Sequence, residues 1–164
     1  MSAFVIAVGA SGLLAERRVD GALDALCEHP AVRLLAVSDS YQNPAVGGVT
    51  CARFVNACAV VETALQPRAL LDIARAIEAR VGRVRGPKDG ARAVDLDVVF
   101  GLGLVAPVAD PDVPHPRALL RDFVVVPALQ AIVRAGRVAP PELHDALRRL
   151  WFGARLVTAP RQAR

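Results

Sequence analysis

The sequence has few aromatic residues and few cysteines. Aromatic residues make up 4% of its 164 residues, as five Phe, one Tyr and one Trp. The three cysteines, Cys27, Cys51 and Cys58, are odd in number, form no CxxC pair and have no histidine at zinc-finger spacing. We therefore expect reduced structural thiols rather than a disulfide framework, a metal site or a redox site.

Long apolar runs are also missing. A run such as residues 123–129 is much shorter than the ~20 residues that cross a bilayer. The N-terminus has no basic region ahead of an apolar one, so we expect a soluble, cytoplasmic chain. With 54% hydrophobic and 22% charged residues, the chain can close one core. We predict a single domain over residues 1–158 and a flexible tail at 159–164.

Lysine is nearly absent, although the formal net charge is +4. All but one of the 20 basic residues are Arg, and the exception is Lys88. The planar guanidinium group suits bidentate binding of phosphate. This composition favours an anionic ligand, and it fits a nucleotide pocket as well as a nucleic-acid surface.

The hydrophobic pattern predicts alternating strands and helices. It indicates strands at 3–9, 32–41, 53–62 and 93–100, helices at 13–28 and 67–81, and short helices at 116–120, 126–133 and 140–150. Along the chain, the four strands and the two long helices follow the order strand, helix, strand, strand, helix, strand. This order predicts an α+β, ferredoxin-like fold, with helices packed on one face of an antiparallel sheet.

Two acidic residues alternate with apolar ones in the last predicted long strand. The period of two places Asp95 and Asp97 on one face, with Cα atoms roughly 6.6 Å apart, while the flanking valines and Leu96 point into the core. Like charges this close favour a cation between them, either Arg or a divalent metal. Oxygen ligands near phosphate suit Mg²⁺. The alternative is a pair of solvated acids on an exposed sheet face.

A basic, turn-rich segment precedes this strand. Within thirteen residues it contains Arg80, Arg83, Arg85, Lys88 and Arg92, together with three glycines and a proline. Cations followed by paired carboxylates are what phosphoryl transfer needs to neutralise and orient the transferring oxygens. The motif GxxxxGK[ST] is absent, which excludes a P-loop protein.

Six short motifs occur in order along the chain. They are Phe54-Val55-Asn56, Gly82-Arg83-Val84-Arg85, Gly90-Ala91-Arg92, Asp95-Leu96-Asp97, Val113-Pro114-His115-Pro116 and Arg121-Asp122-Phe123. In order and spacing they resemble the 6-hydroxymethyl-7,8-dihydropterin pyrophosphokinase family, over residues 4–132. The resemblance implies an enzyme of folate biosynthesis that transfers the β,γ-diphosphate of ATP to the pterin hydroxymethyl oxygen and releases AMP.

The resemblance also assigns residues. It implies two Mg²⁺ ions held by Asp95 and Asp97, and catalytic stabilisation of the transferring group by Arg83 and Arg92. The residues it assigns to the nucleotide are Glu78, Arg85, Val98, His115 and Arg121. Those it assigns to the pterin are Asn43, Pro44, Val46, Phe54, Asn56 and Phe123. The two Phe rings would sandwich the pterin, while the amide of Asn56 would pair with its polar edge.

The chain departs from the family pattern mainly on the nucleotide side, as at Asp89 and Asp110. Three alternatives therefore stay open: a diverged paralogue with another donor or another bicyclic substrate, a pterin- or nucleotide-binding protein without catalysis, and a basic RNA-binding domain. The last is disfavoured because Phe54 is the one aromatic residue on a strand suited to stacking a base. We expect ATP and a reduced pterin as ligands, no nucleic-acid or membrane partner, and a monomer.

Overall fold

The computed structural model describes residues 1–44, 53–82, 93–103, 108–109, 112–113, 115–150 and 155–156. Within them the strands are β1 (Ser2–Ser11), β2 (Arg33–Val37), β3 (Tyr41–Pro44), β4 (Arg53–Thr63), β5 (Asp95–Leu102), β6 (Val108–Ala109), β7 (Asp112–Val113) and β8 (Arg155–Leu156). The helices are α1 (Ala15–Cys27), α2 (Pro67–Val81), α3 (Asp122–Arg134) and α4 (Pro141–Arg149), with a 3₁₀ turn at Ala118–Leu120. In this part of the chain no helix is long and apolar enough to cross a membrane.

Strand β1 lies in the middle of an antiparallel sheet. It pairs with β4 on one side and with β5 on the other, and the strand order is β5-β1-β4-β3-β8, with β2 also paired to β4. This topology confirms the predicted α+β, ferredoxin-like fold. The predicted strand at 32–41 is two strands, because residues 38–40 leave the ladder between β2 and β3.

Helices cover both faces of the sheet. On one face, α1 and α2 pack against Phe4, Ile6 and Val8 of β1. On the other, α3 and α4 pack against Val5 of β1 and Val60 of β4. The two helices of the predicted six-element pattern, α1 and α2, therefore share one face as expected, and α3 and α4 add a layer on the other face. Since β1 and β4 are apolar on both faces over part of their length, a second layer is needed to bury them.

The helices agree with the sequence to different degrees. Helix α2 is confirmed from Pro67 in its first turn to Val81, and it ends at Gly82, whose φ of 99° is a left-handed conformation that favours glycine. Helix α3 begins at Asp122, four residues before the predicted start at 126. The helix continues through Pro127. Since proline has no N–H, the carbonyl of Phe123 lacks its usual helical partner.

The two described cysteines differ in accessibility. Cys27 is exposed, whereas Cys58 is fully buried, and burial raises the pKa of its thiol. We expect a thiol reagent at neutral pH to modify Cys27 in the folded protein and to spare Cys58, since the thiolate is the reactive form. Peptide mass spectrometry after labelling, with and without denaturant, checks this. Equal labelling of both cysteines in the folded protein would contradict it. Cys51 lies outside the described residues.

Candidate active site

The face of the sheet covered by α3 and α4 changes character along its length. Val5 and Val60 are completely buried there, whereas Gly9, Asp95 and Asp97 are partly exposed. We call the residues Gly9, Phe54, Asn56, Asp95 and Asp97 the polar end of this face. Their side chains share the face because each strand alternates sides with a period of two.

Strand pairing brings the two predicted sets of ligands together. Gly9 of β1 pairs with Asn56 of β4 on one side and with Asp95 of β5 on the other. One step along the same face, Ala7 pairs with Cys58 and with Asp97. Two strand spacings separate Asn56 from Asp95, which corresponds to about 10 Å between their Cα atoms. Residues predicted to bind a metal and residues predicted to bind a pterin therefore lie side by side.

Gly9 lets Asn56 lie close over the central strand. A Cβ atom at Gly9 would stand 2.8 Å from Oδ1 of Asn56, closer than real Cβ atoms approach another atom. On the opposite side of this amide, Nδ2 of Asn56 donates a hydrogen bond to Oδ1 of Asn43. Both asparagines are buried, with 8% and 6% exposure. The orientation of the Asn56 amide is thus fixed from two sides.

The two acids are arranged as their alternation predicts. Asp95 and Asp97 are partly exposed on the polar end, and Val94 and Leu96 are buried in the opposite core with Val98. Because the side chain of Val98 packs in that core, a ligand at this position would contact its backbone.

Glu78 of α2 holds the strand between the two acids. The residue is 3% exposed, and its Oε1 accepts a hydrogen bond of 2.8 Å from the backbone N–H of Leu96. This bond satisfies a strand N–H that would otherwise lack a partner in the interior. Glu78 therefore ties α2 to β5 at the residue between Asp95 and Asp97.

We expect Glu78→Leu to lower the free energy of unfolding by about 1–3 kcal/mol, because it leaves the N–H of Leu96 buried without an acceptor. Glu78→Gln keeps a carbonyl acceptor and should lose less. Asp72→Leu, at an exposed position of the same helix, is the matched control. Urea denaturation measures all three. Parental stability of Glu78→Leu would show that the bond to Leu96 contributes nothing.

The carboxylate pair fits a hard divalent cation. Among the described residues no group of three or more His, Cys, Asp or Glu could hold a metal ion. Mg²⁺ does not need such a cage, because it is usually bound by one or two carboxylates and completes its octahedron with water and phosphate oxygens. Asp95 and Asp97, partly exposed on adjacent positions of one face, supply that number of carboxylates.

The beginning of α3 carries an aromatic and a basic residue together. Phe123 is partly exposed, and the guanidinium carbon of Arg121 lies 5.6 Å from the centre of its ring, which is a cation–π distance. The carboxylate of Asp122 accepts the N–H of Phe123 at 2.7 Å. The next residue, Val124, has its carbonyl 3.7 Å from Sγ of Cys58, two positions along β4 from Asn56. Phe123 is thereby held near the strand that carries Asn56.

His115 is attached to the edge of β5. Its backbone N–H donates to the carbonyl of Val99 at 2.9 Å, and its Nδ1 accepts the N–H of Arg117 at 3.2 Å. With Nδ1 acting as the acceptor, the ring proton of the neutral imidazole lies on Nε2. Nε2 is thus a donor available on the β5 side of the sheet.

Some predicted site residues lie outside the described part of the chain. These are Val46, Arg83, Arg85 and Arg92, the side chain of Pro44, and the departures at Asp89 and Asp110. Conversely, Gly9 belongs to the site but was absent from the predicted set. A glycine inside an otherwise apolar strand is a signal of close approach that could have identified it.

Fold and site together define an antiparallel α+β protein in which a carboxylate pair suited to Mg²⁺ lies beside a buried amide pair. A family model described as 7,8-dihydro-6-hydroxymethylpterin-pyrophosphokinase matches residues 5–133. The chain belongs to this family, as the sequence motifs predict.

Curated relatives agree with the family. A protein of Pseudomonas aeruginosa named 2-amino-4-hydroxy-6-hydroxymethyldihydropteridine pyrophosphokinase is 36% identical over 122 residues, which cover 74% of this chain and 75% of the relative. A protein of Methylorubrum extorquens with the same name is 37% identical over 109 residues, which cover 65% of this chain and 68% of the relative. A third relative of that name, from Bacillus subtilis, is 35% identical over 102 residues, which cover 62% of this chain and 61% of the relative.

Proposed function

We propose that this protein is a diphosphotransferase that moves the β,γ-diphosphate of ATP to the hydroxymethyl oxygen of 6-hydroxymethyl-7,8-dihydropterin and releases AMP, a step of folate biosynthesis. The observation that carries the proposal is the strand register, in which Asn56, Gly9 and Asp95 form one row across three strands. In this row a site for a flat polar ring lies next to a site for metal and phosphate. Membership of the pyrophosphokinase family supports the same reaction.

The pterin half of the site consists of rings and amides. Phe54 and Phe123 stack on the two faces of the pterin, since a flat heteroaromatic ring gains from offset stacking. Asn43 occupies one amide hydrogen of Asn56. The other hydrogen and the carbonyl oxygen of Asn56 remain for the donor and acceptor groups on the ring edge. The resemblance also assigns Pro44 and Val46 to the pterin.

The phosphate half of the site lies across β1 from the pterin half. Asp95 and Asp97 would hold the two Mg²⁺ ions that the family resemblance implies, and these ions would supply positive charge to the phosphate oxygens. Arg83 and Arg92 stabilise the transferring group. The resemblance assigns Arg85, His115 and Arg121 to the nucleotide, together with the backbone of Val98. Glu78, which the resemblance also assigns there, would act through Leu96, the residue of β5 that it holds. The Nε2–H of His115 and the guanidinium of Arg121 are donors that suit phosphate oxygens.

The reaction forms one bond and breaks one. The pterin hydroxymethyl oxygen attacks the β-phosphorus, the bond from that phosphorus to the α,β-bridging oxygen breaks, and AMP leaves with the bridging oxygen. The hydroxyl proton passes to solvent. The residues of this chain act by holding the hydroxymethyl group in line with the departing oxygen, which lowers the entropic part of the barrier.

The proposal is tested by incubating the protein with ATP, Mg²⁺ and the reduced hydroxymethylpterin, and by separating the nucleotides. AMP that forms only when the pterin is present supports diphosphate transfer. ADP would indicate transfer of a single phosphoryl group, which contradicts the proposal. AMP formation that requires a different bicyclic alcohol would instead identify a diverged paralogue.

We further propose that the protein acts as a monomer in the cytoplasm, where the donor ATP is available. Size-exclusion chromatography with light scattering tests the first point, and cell fractionation tests the second. A dimer that persists at nanomolar concentration would contradict the monomer.

A further inference from the structure

A partly buried polar cluster outside the site joins α3 to the connection between β2 and β3. Oδ1 of Asp39 accepts a hydrogen bond of 2.8 Å from Nη2 of Arg134, and Oδ2 accepts one of 2.7 Å from Nε2 of Gln130. The backbone N–H of Asp39 donates to Oε1 of Gln130 at 2.8 Å. Asp39 is only 5% exposed, so its charge is compensated chiefly by protein groups. We call these three residues the Asp39 clamp.

The clamp is attached to the strand that fixes Asn56. Tyr41 follows Asp39 by two residues, pairs with Asn56 in the ladder, and donates its hydroxyl proton to Oε1 of Gln130 at 3.3 Å. Burial, then the charge of Asp39, raises the pKa of Tyr41 against a smaller opposing effect of Arg134, so the hydroxyl remains a donor. Two residues further on, Asn43 accepts the amide hydrogen of Asn56. Displacement of this segment would therefore move the amide pair.

The clamp is also attached to the helix that carries Phe123. Gln130 and Arg134 lie in the second half of α3, and Arg134 donates a further hydrogen bond of 3.0 Å to the carbonyl of Val37. Phe123 lies seven residues, about two helical turns, before Gln130 and on the same side of α3. A shift of the helix would therefore move Phe123 together with Gln130.

We propose that the Asp39 clamp is a positioning device that sets the distance between α3 and the β3–β4 pair and thereby tunes the affinity for the pterin. The proposal rests on the proposed function. Its three residues act through Phe123 and the Asn43–Asn56 pair, which lie on the two elements that the clamp joins. Affinity for ATP should depend on the clamp much less, because Asp95 and Asp97 belong to β5 on the other side of β1, and Arg121 is the one described nucleotide residue next to α3.

The chain offers a matched control for this idea. Arg137 follows α3 and is 44% exposed, and it forms an ion pair of 2.7 Å with Glu62 of β4. Glu62 pairs with Ala3, six residues along β4 from Asn56, so this ion pair anchors the helix end far from the site. Arg134→Met and Arg137→Met each remove one guanidinium group at the same end of the helix and retain an aliphatic side chain.

The test measures the dissociation constant of the pterin by its fluorescence, together with the KM for pterin and for ATP, well below the melting temperature. We expect Arg134→Met to raise the pterin dissociation constant and KM about tenfold, since a small displacement of a positioned group has effects of this order or larger. The ATP KM should change little. Arg137→Met should leave both constants near the parental values, and Arg134→Lys, which keeps a cation near Asp39, should recover most of the pterin affinity.

Parental pterin affinity in folded Arg134→Met, or an equal loss in Arg137→Met, would overturn the proposal and leave the clamp a purely structural role. If Arg134→Met does not fold, Gln130→Met decides, because it removes the neutral partner and keeps the ion pair. Unchanged pterin affinity in Gln130→Met then overturns the proposal, and weakened affinity with unchanged ATP KM supports it. A parent protein that neither binds the pterin nor forms AMP would overturn the proposed function as well, whereas an active parent with insensitive variants overturns the clamp alone.

Discussion

Replacing Asp97 or Asp95 by alanine is expected to lower turnover roughly a hundred- to a thousandfold, as the loss of preorganised charge stabilisation does in other enzymes. Each substitution removes half of the carboxylate pair that we propose as the Mg²⁺ site. The core should remain packed, because Val94 and Leu96, which alternate with the acids, are buried in the core on the α1–α2 side. AMP production over a titration of Mg²⁺ measures the effect, and circular dichroism checks the fold.

The control for these variants is Asp72→Ala. Asp72 is exposed on α2, where it forms surface ion pairs with Arg68 and Arg75. Exposed pairs of this kind contribute little, so turnover should remain parental. If either Asp95→Ala or Asp97→Ala keeps near-parental activity at saturating Mg²⁺, the metal assignment is wrong.

Gly9→Ala is expected to raise the pterin KM by about 10- to 100-fold, because misplacing a binding group by an ångström has effects of this size. The new Cβ would meet Oδ1 of Asn56 at 2.8 Å, and the amide cannot swing away while Asn43 holds it in a buried position. Overpacking of this kind also costs about 1–3 kcal/mol of folding free energy. Steady-state kinetics with varied pterin measures the first effect and urea denaturation the second.

Two further variants separate crowding from other consequences of the new methyl group. Gly21→Ala adds the same methyl group inside α1, where nothing lies within 4 Å, and should stabilise the protein by about 0.5–1 kcal/mol. Combining Gly9→Ala with Asn56→Ala removes the crowded oxygen, so the double variant should be more stable than additivity predicts while pterin binding stays weak. Additive stabilities would show that Gly9 does not act through Asn56.

The parts of the site that depend on local periodicity were predictable. Alternation alone places Asp95 with Asp97, and Phe54 with Asn56, on one side of their strands, and the structure confirms both placements. Helix α2 was equally predictable, because its apolar spacing, its first-turn proline and its terminal Gly82 all indicate the same boundaries.

The parts that depend on contacts between distant segments were not predictable. Asp39 and Gln130 are 91 positions apart, and neither has a local pattern that points to the other. The position of α3 and α4 on the second face of the sheet was not predictable for a related reason. Apolar residues on both sides of β1 and β4 indicate that two layers exist, but the layer to which a given helix belongs is decided by the path of the chain in space.

The division of one sheet face into a covered end and a polar end should appear as a phenotype map along β4. In a saturation mutagenesis experiment, changes at Val55, Ala57 and Ala59 should lower the abundance of the protein, because these residues are buried on the α1–α2 side. Changes at Phe54 and Asn56 should spare abundance more and abolish growth that depends on the enzyme. On the same face as Asn56, changes at Cys58 and Val60 should again lower abundance, since these residues lie under α3. The position along β4 at which substitutions on this face begin to lower abundance would thus locate the inner limit of the polar end between Asn56 and Cys58, by genetics alone.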